Sequence, residues 1–250
     1  MGGLSTIDPS PSSNGRGSEA WSEPWMRFRV DRRSPGYCRV TFDHPPINTI
    51  TATTVAELAE LVGLIEQDRD LNVVVFDSAN PNFYLGHYDV EHDPSTGMRA
   101  WLDLLARLSR APVVSIASIR GRAHGAGSEF VLACDLRFAS RENTLLGQFE
   151  VGTGVVPGGG PMARLSRLVG RARALEVLLV ADDLDGPRAE RYGYVNRVID
   201  DDQLDEEVDA TASRLARYDH DAIARTKSYV DSGREELRVR SGERSGELSA

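Results

Sequence analysis

The chain has 250 residues, a formal net charge of -9, and 29 basic residues of which only Lys227 is a lysine. A Walker phosphate loop is excluded, because Lys227 follows Arg225 and Thr226 where glycine would be needed, and any Schiff-base chemistry would have to use this one amine. The acidic balance, with a pI near 5.1, opposes nucleic-acid binding, which needs clustered cations, while 40% hydrophobic and 27% charged residues fit a soluble globular core.

Residues 1–24 are rich in Gly, Ser and Pro and poor in apolar residues, which predicts a disordered tail. Met26–Val30 and Tyr37–Phe42 alternate polar and apolar residues as half-buried strands do, joined by the turn residues Ser34-Pro35-Gly36. Val55–Ile65 has helical spacing after a cap at Thr53-Thr54. Asn72–Phe76 and Pro112–Ala117 are continuous apolar runs, expected of strands covered on both faces, with a helix over Met98–Leu108 between them. A helix over Ser128–Ala133 and a strand over Asp135–Ala139 follow. Four helical patterns come last: Pro161–Val169, Arg173–Val180, Leu204–Tyr218 and Asp221–Val230. The order predicts an α/β core over 25–200, a C-terminal helical section over 201–232 and a loose tail over 233–250. No apolar run approaches the roughly 20 residues that span a bilayer. Cys38 and Cys134 form neither a disulfide framework nor a metal spacing, which fits a reducing, cytoplasmic compartment.

Three segments could carry chemistry. In Ile119–Ser140 an apolar strand runs through Gly121, Gly125 and Gly127 into a helix whose first turn carries Glu129. Such a turn lets backbone approach a ligand and points free N–H groups outward; a plain strand-to-helix turn with a surface glutamate is the other reading. The spacing is not G-x-G-x-x-G, and Ala126 and Phe130 stand where a nucleophile elbow at Ser128 would need glycine. Asn80–Val90 presents Gly86 in an apolar, aromatic loop. Gly147–Gly160 holds Glu150 between glycine-rich turns, where the carboxylate pairs with an arginine or does chemistry.

Together these segments resemble the enoyl-CoA hydratase/isomerase (crotonase) superfamily over about residues 26–230. Asp43–Ile50 is similar to the family's Asn-Pro-Pro-Val-Asn-Ala-Leu, and Phe83–Val90 to Phe-x-Ala-Gly-Ala-Asp-Ile/Leu. Gly121–Ala139 is similar to Gly-x-Ala-x-Gly-Gly-Gly-x-Glu-Leu-x-x-x-Cys-Asp-x-Arg-x-Ala. Gly147–Leu165 is similar to Phe-x-x-Pro-Glu-x-x-x-Gly-x-x-Pro-Gly-x-Gly, and Tyr192–Ile199 to Gly-Leu-Val-x-x-Val. The resemblance implies a ClpP/crotonase ββα spiral core whose C-terminal helices serve oligomerisation into a homotrimer or hexamer.

It also implies a lyase that adds water to a 2-enoyl-CoA, with no cofactor beyond the coenzyme A of the substrate. The implied roles are backbone oxyanion donors at Leu85 and Ala126, an acid/base pair in Glu129 and Glu150 whose division of labour stays open, and substrate contacts from Asn48, Gly86, His87, His124, Gly125 and Gly127. Isomerisation, C–C hydrolysis, decarboxylation and a degenerate acyl-CoA-binding homologue are the alternatives. Leu85 replaces the usual Ala, Ala126 replaces Gly, His87 and His124 flank the oxyanion segments, and Asp89 is displaced by one position. The His87-x-Asp89-x-Glu91-His92-Asp93 run reads as a solvated acidic loop rather than a metal site. Pro46 and Glu91 stand where basic residues often meet the CoA phosphates, which makes Lys227 a candidate phosphate contact beside the reading of an exposed helix lysine.

Overall fold

β1 (Phe28–Ser34) and β2 (Tyr37–Phe42) pair antiparallel around the Pro35-Gly36 turn, so β1 runs four residues beyond its expected end. The coordinates are those of a computed structural model, which describes residues 21, 25–89 and 96–232; the expected C-terminal tail lies outside them. Of the expected N-terminal tail, Trp21 is described: it packs against the core, with the Arg32 guanidinium 5.1 Å over its ring.

α1 (Ala52–Gln67) is capped by Thr51, whose hydroxyl accepts from the Thr54 amide, not by the expected Thr53-Thr54 pair. β3 (Val73–Ser78) lies parallel to β2, and β5 (Val114–His124) lies parallel to β3. β4 (Phe83–Leu85) and α2 (Thr96–Arg110) come between them in the chain. α3 (Ala126–Ala133) then returns the chain to β6 (Leu136–Gly147), parallel to β5. α4 (Pro161–Val169) and α5 (Arg171–Leu175) follow, with a looser turn over Glu176–Val180. β7 (Leu184–Asp185), α6 (Gly186–Tyr192) and β8 (Arg197–Ile199) are not marked by any periodicity long enough to read. α7 (Leu204–Leu215) and α8 (His220–Ser232) close the described chain.

The sheet order is β1-β2-β3-β5-β6-β7, with β4 added to β5 and β8 added to β6. β5 serves two neighbours: Val114–Ala117 pair with β3, and Arg122–Ala123 pair with β4. Gly121 (φ +72°) lies between, and any Cβ there would overlap the Asn82 backbone. This bend carries His124 and Gly125 to the mouth of β4.

Helices cover both faces of the sheet. Leu58 and Leu61 of α1, Trp101 and Leu104 of α2, and Phe130 and Val131 of α3 fill one side. On the other, Leu204, Val208 and Ala212 of α7 pack on Tyr37, Val73, Val75 and Ile116. Arg39 bridges the sheet to that helix, reaching Asp77 at 2.7 Å, Asp205 at 2.6 Å and Asp209 at 2.9 Å. α7, in the expected C-terminal helical section, packs on the sheet through apolar burial and a charge network. α8 has no fully buried residue and stands further out.

Candidate active site

The first turn of α3 gathers the expected site residues. Gly125 (φ +54°) turns the chain from β5 into the helix, and its N–H donates to the Gly147 carbonyl at 3.0 Å. Gly127 sits against β4 so closely that a Cβ would overlap the Leu85 carbonyl. The Leu85-Gly86 backbone and the start of α3 are thus in direct contact. As the first helical residue, Ala126 has an N–H without an intrahelical acceptor.

Asn48, expected against substrate, is committed elsewhere. It is buried with φ +53°, and its Nδ2 donates to Ser78 Oγ (2.8 Å), Phe83 O (3.2 Å) and Tyr84 O (3.1 Å). Its Oδ1 accepts from the His44 N–H at 2.7 Å, and its carbonyl accepts from the Gly86 N–H at 3.0 Å. Every hydrogen-bonding position of the side chain faces protein, so Asn48 pins the β4 loop rather than reaching a ligand.

Glu129 is buried (2% exposed) yet hydrogen-bonded: Trp101 Nε1 donates to it at 2.9 Å and the Gly159 N–H at 2.6 Å. Burial raises its pKa, and the two donors oppose that rise. Arg164 holds the Gly159 peptide from its other side, donating to the carbonyl at 2.7 Å.

Glu150 opens a short 3-10 turn, Glu150–Thr153, and is half-buried. It has no arginine partner among the described residues, so the ion-pair reading of the sequence is not realised. A Cβ on Gly125 would lie 3.0 Å from Glu150 Oε1, which places the carboxylate over the glycine turn. Burial pushes its pKa up to about 7, and the charge of Glu129 adds to the rise. The charge of Glu129 thus reaches Glu150, 21 residues further on in the sequence.

The two histidines bracket Phe149. His87 is exposed and edge-on to its ring (centroids 6.2 Å), and His124 lies 6.3 Å away on the other side. His124 Nε2 is 2.7 Å from Asp183 Oδ1, and Arg122 reaches the other oxygen of Asp183 at 3.1 Å. Burial lowers the His124 pKa, while Asp183 favours the charged form.

Lys227 is not the exposed cation that a phosphate contact needs. Its Nζ donates to Asp135 Oδ2 at 2.8 Å and to the Val113 carbonyl at 3.0 Å, with the side chain 12% exposed. It ties α8 to the starts of β5 and β6, which Val113 and Asp135 immediately precede. Among the described residues no His, Cys, Asp and Glu group could hold a metal; part of the acidic run after His87, including Glu91, His92 and Asp93, lies outside them. Sequence reasoning missed Trp101, Gln148, Gly159 and Arg164. Trp101 reads only as an apolar helix position, and Gly159 as one of three consecutive glycines.

The enoyl-CoA hydratase/isomerase family model matches residues 32–245, and the chain belongs to that family. It is 29% identical over 202 residues to the short-chain-enoyl-CoA hydratase of Clostridium acetobutylicum, covering 78% of this chain and 77% of the relative. It is 30% identical over 201 residues to a "Probable enoyl-CoA hydratase, mitochondrial" of Dictyostelium discoideum, covering 78% and 72%. Among solved structures, a "putative enoyl-CoA hydratase" from Streptomyces avermitilis is 39% identical with a TM-score of 0.77, covering 86% of this chain and 80% of that one. The fold is thus the crotonase fold. Both described cysteines are free and buried, and no described helix is long and apolar enough to cross a membrane.

Proposed function

We propose that the protein adds water across the double bond of a 2-enoyl-CoA thioester. The observation that carries this reading is the unequal setting of two facing carboxylates. Glu129 receives two N–H donors, which favour a carboxylate. Glu150 is the one pushed up to about 7. Two carboxyl groups whose environments separate their affinities for a proton can divide acid and base roles.

In the forward direction Glu129 takes a proton from water as the hydroxyl oxygen bonds to Cβ. The electrons of the double bond move to the thioester oxygen, which accepts hydrogen bonds from the Leu85 and Ala126 amides. Glu150 then delivers its proton to Cα. Preorganised amides of this kind are each worth about 3 kcal/mol of barrier in comparable sites. Coenzyme A enters as part of the substrate, and no other cofactor is required. Association into a trimer or hexamer is supported by exposed apolar residues: Val155, Val156, Leu179 and Val180 are each more than half exposed.

The test is turnover of crotonyl-CoA and longer 2-enoyl-CoAs, followed by Glu129→Gln and Glu150→Gln. Hydration requires both groups, and each change should cost roughly 100-fold or more. Dependence on one glutamate alone would favour isomerisation or another one-base enolate chemistry, and absence of turnover at every chain length would reject hydration. Sedimentation velocity measures the assembly.

A further inference from the structure

Glu150 is joined to a buried chain of hydrogen bonds that the acid/base assignment does not use. The Gln148 side chain is fully buried (1% exposed) and stands between Glu150 and α3. With its amide nitrogen toward the carboxylate, that nitrogen lies 3.1 and 3.0 Å from the two oxygens of Glu150, and its oxygen accepts from Ser128 Oγ at 2.9 Å. The reverse orientation gains one long bond, Gln148 Nε2 to the Gly125 carbonyl at 3.4 Å, and sets the amide oxygen against the carboxylate, which only a protonated Glu150 tolerates. Ser128, also buried, meets the Tyr194 hydroxyl in a second hydrogen bond.

The directions follow from donor counting. Ser128 has one hydroxyl proton, and it goes to Gln148. The bond with Tyr194 must then be donated by tyrosine. Tyr194 is wholly buried, and burial holds its phenol above the usual range, so the proton stays on the ring oxygen. All three donors therefore point the same way, from Tyr194 through Ser128 and Gln148 to Glu150.

We propose that Tyr194 and Ser128 are positioning residues for Glu150, acting through Gln148 to fix its amide with the N–H facing the carboxylate. Tyr194 stands where the family segment resembled by Tyr192–Ile199 has leucine, so the far end of the chain belongs to this protein's own residues. A fixed donor stabilises the ionised carboxylate and holds its plane, and aligned bonds strengthen one another. The chain limits how far burial can raise the proton affinity of Glu150 and keeps it able to give up its proton near neutral pH. Glu129 faces Glu150 from α3, His124 and His87 lie beyond Phe149, and Arg137 donates to the Tyr194 carbonyl.

This inference rests on the hydratase reading for its kinetic consequence only. The test is a carbon-13 NMR titration of the glutamate carboxyls, with pH profiles of kcat/KM, in the wild type, Ser128→Ala, Tyr194→Phe and the double variant. Ser128→Ala should raise the Glu150 pKa by roughly half a unit, the equivalent of one ordinary hydrogen bond. Tyr194→Phe should raise it as well, because the phenol meets both Ser128 and Gln148, and the double variant should raise it at least as far as either single change. The alkaline limb of the pH profile should move up by the same amount, while Glu129 keeps its titration. An unchanged Glu150 titration in folded variants would overturn the proposal, as would equal shifts at Glu129 and Glu150, which mean general loosening of the core. If the wild type hydrates nothing, the hydratase reading fails while the NMR titration still decides the chain.

Discussion

The Gly159 N–H lies 2.6 Å from Glu129 Oε1, and no side chain larger than hydrogen fits between them. A Cβ at 159 would overlap the carboxyl group itself. Gly159→Ala should therefore leave the fold intact and displace Glu129. A shift near 1 Å costs on the order of 100-fold in rate, so kcat for crotonyl-CoA should fall by about that factor with the melting temperature little changed.

Glu150 carries a stability cost that depends on pH. Its carboxyl is raised from an ordinary value of 4.5 to about 7, chiefly by burial. A group raised in the folded state contributes its full stability below the unfolded value and loses it as pH rises through the folded one. Glutamine cannot ionise. Glu150→Gln should therefore gain in melting temperature relative to the wild type between pH 4.5 and about 7, and hold that gain above pH 7. Calorimetry across pH 4 to 8 measures the window.

Lys227→Ala should act on stability rather than on ligand affinity. It removes one of the partners of Asp135, which would keep only the Ser115 N–H (2.7 Å) and hydroxyl (2.8 Å), and frees the Val113 carbonyl. Leaving such groups unpaired costs about 1–3 kcal/mol. Urea unfolding should report that loss, and calorimetry with acetyl-CoA should show an unchanged Kd.

Asp183 favours the charged form of His124 against the effect of burial. In Asp183→Asn the remaining influences, burial and the charges of Arg122 and His87, all lower the pKa. The His124 ring should then titrate at lower pH than in the wild type, as followed by nitrogen-15 NMR. A rise would mean that Asp183 is not the partner that matters.

The parallel strands were legible in the sequence because both faces are covered: Val73–Phe76 reads as a strand from its apolar run alone. β6 was legible only in its first half. Beyond Ala139 it continues through Arg141, Glu142 and Asn143, which are exposed, and pairing with β5 at Thr144–Gly147 holds it as strand. β4, β7 and β8 are two or three residues long and exist through their neighbours. Glu129 and Glu150 stand out in glycine-rich turns, but their acid/base roles are implied only by the family resemblance. The residues that set their chemistry do not stand out. Trp101 lies 28 residues before Glu129, Gly159 lies 30 after it, and Tyr194 meets Ser128 and Gln148 rather than Glu150 itself. Asn48 and Lys227 show the converse: both looked suited to a ligand, and both are spent on protein partners.

The burial of Lys227 also shapes how the chain meets reactive metabolites. Under the proposed function the chain meets acyl thioesters, which acylate accessible amines. Here the only lysine among 250 residues is paired with Asp135 and the Val113 carbonyl, and every other basic side chain is arginine or histidine. The folded surface thus carries its positive charge on guanidinium groups that thioesters leave unmodified. Amine-directed labels should therefore find two targets, the α-amine and residue 227, with residue 227 reacting faster once α8 has come away from the sheet.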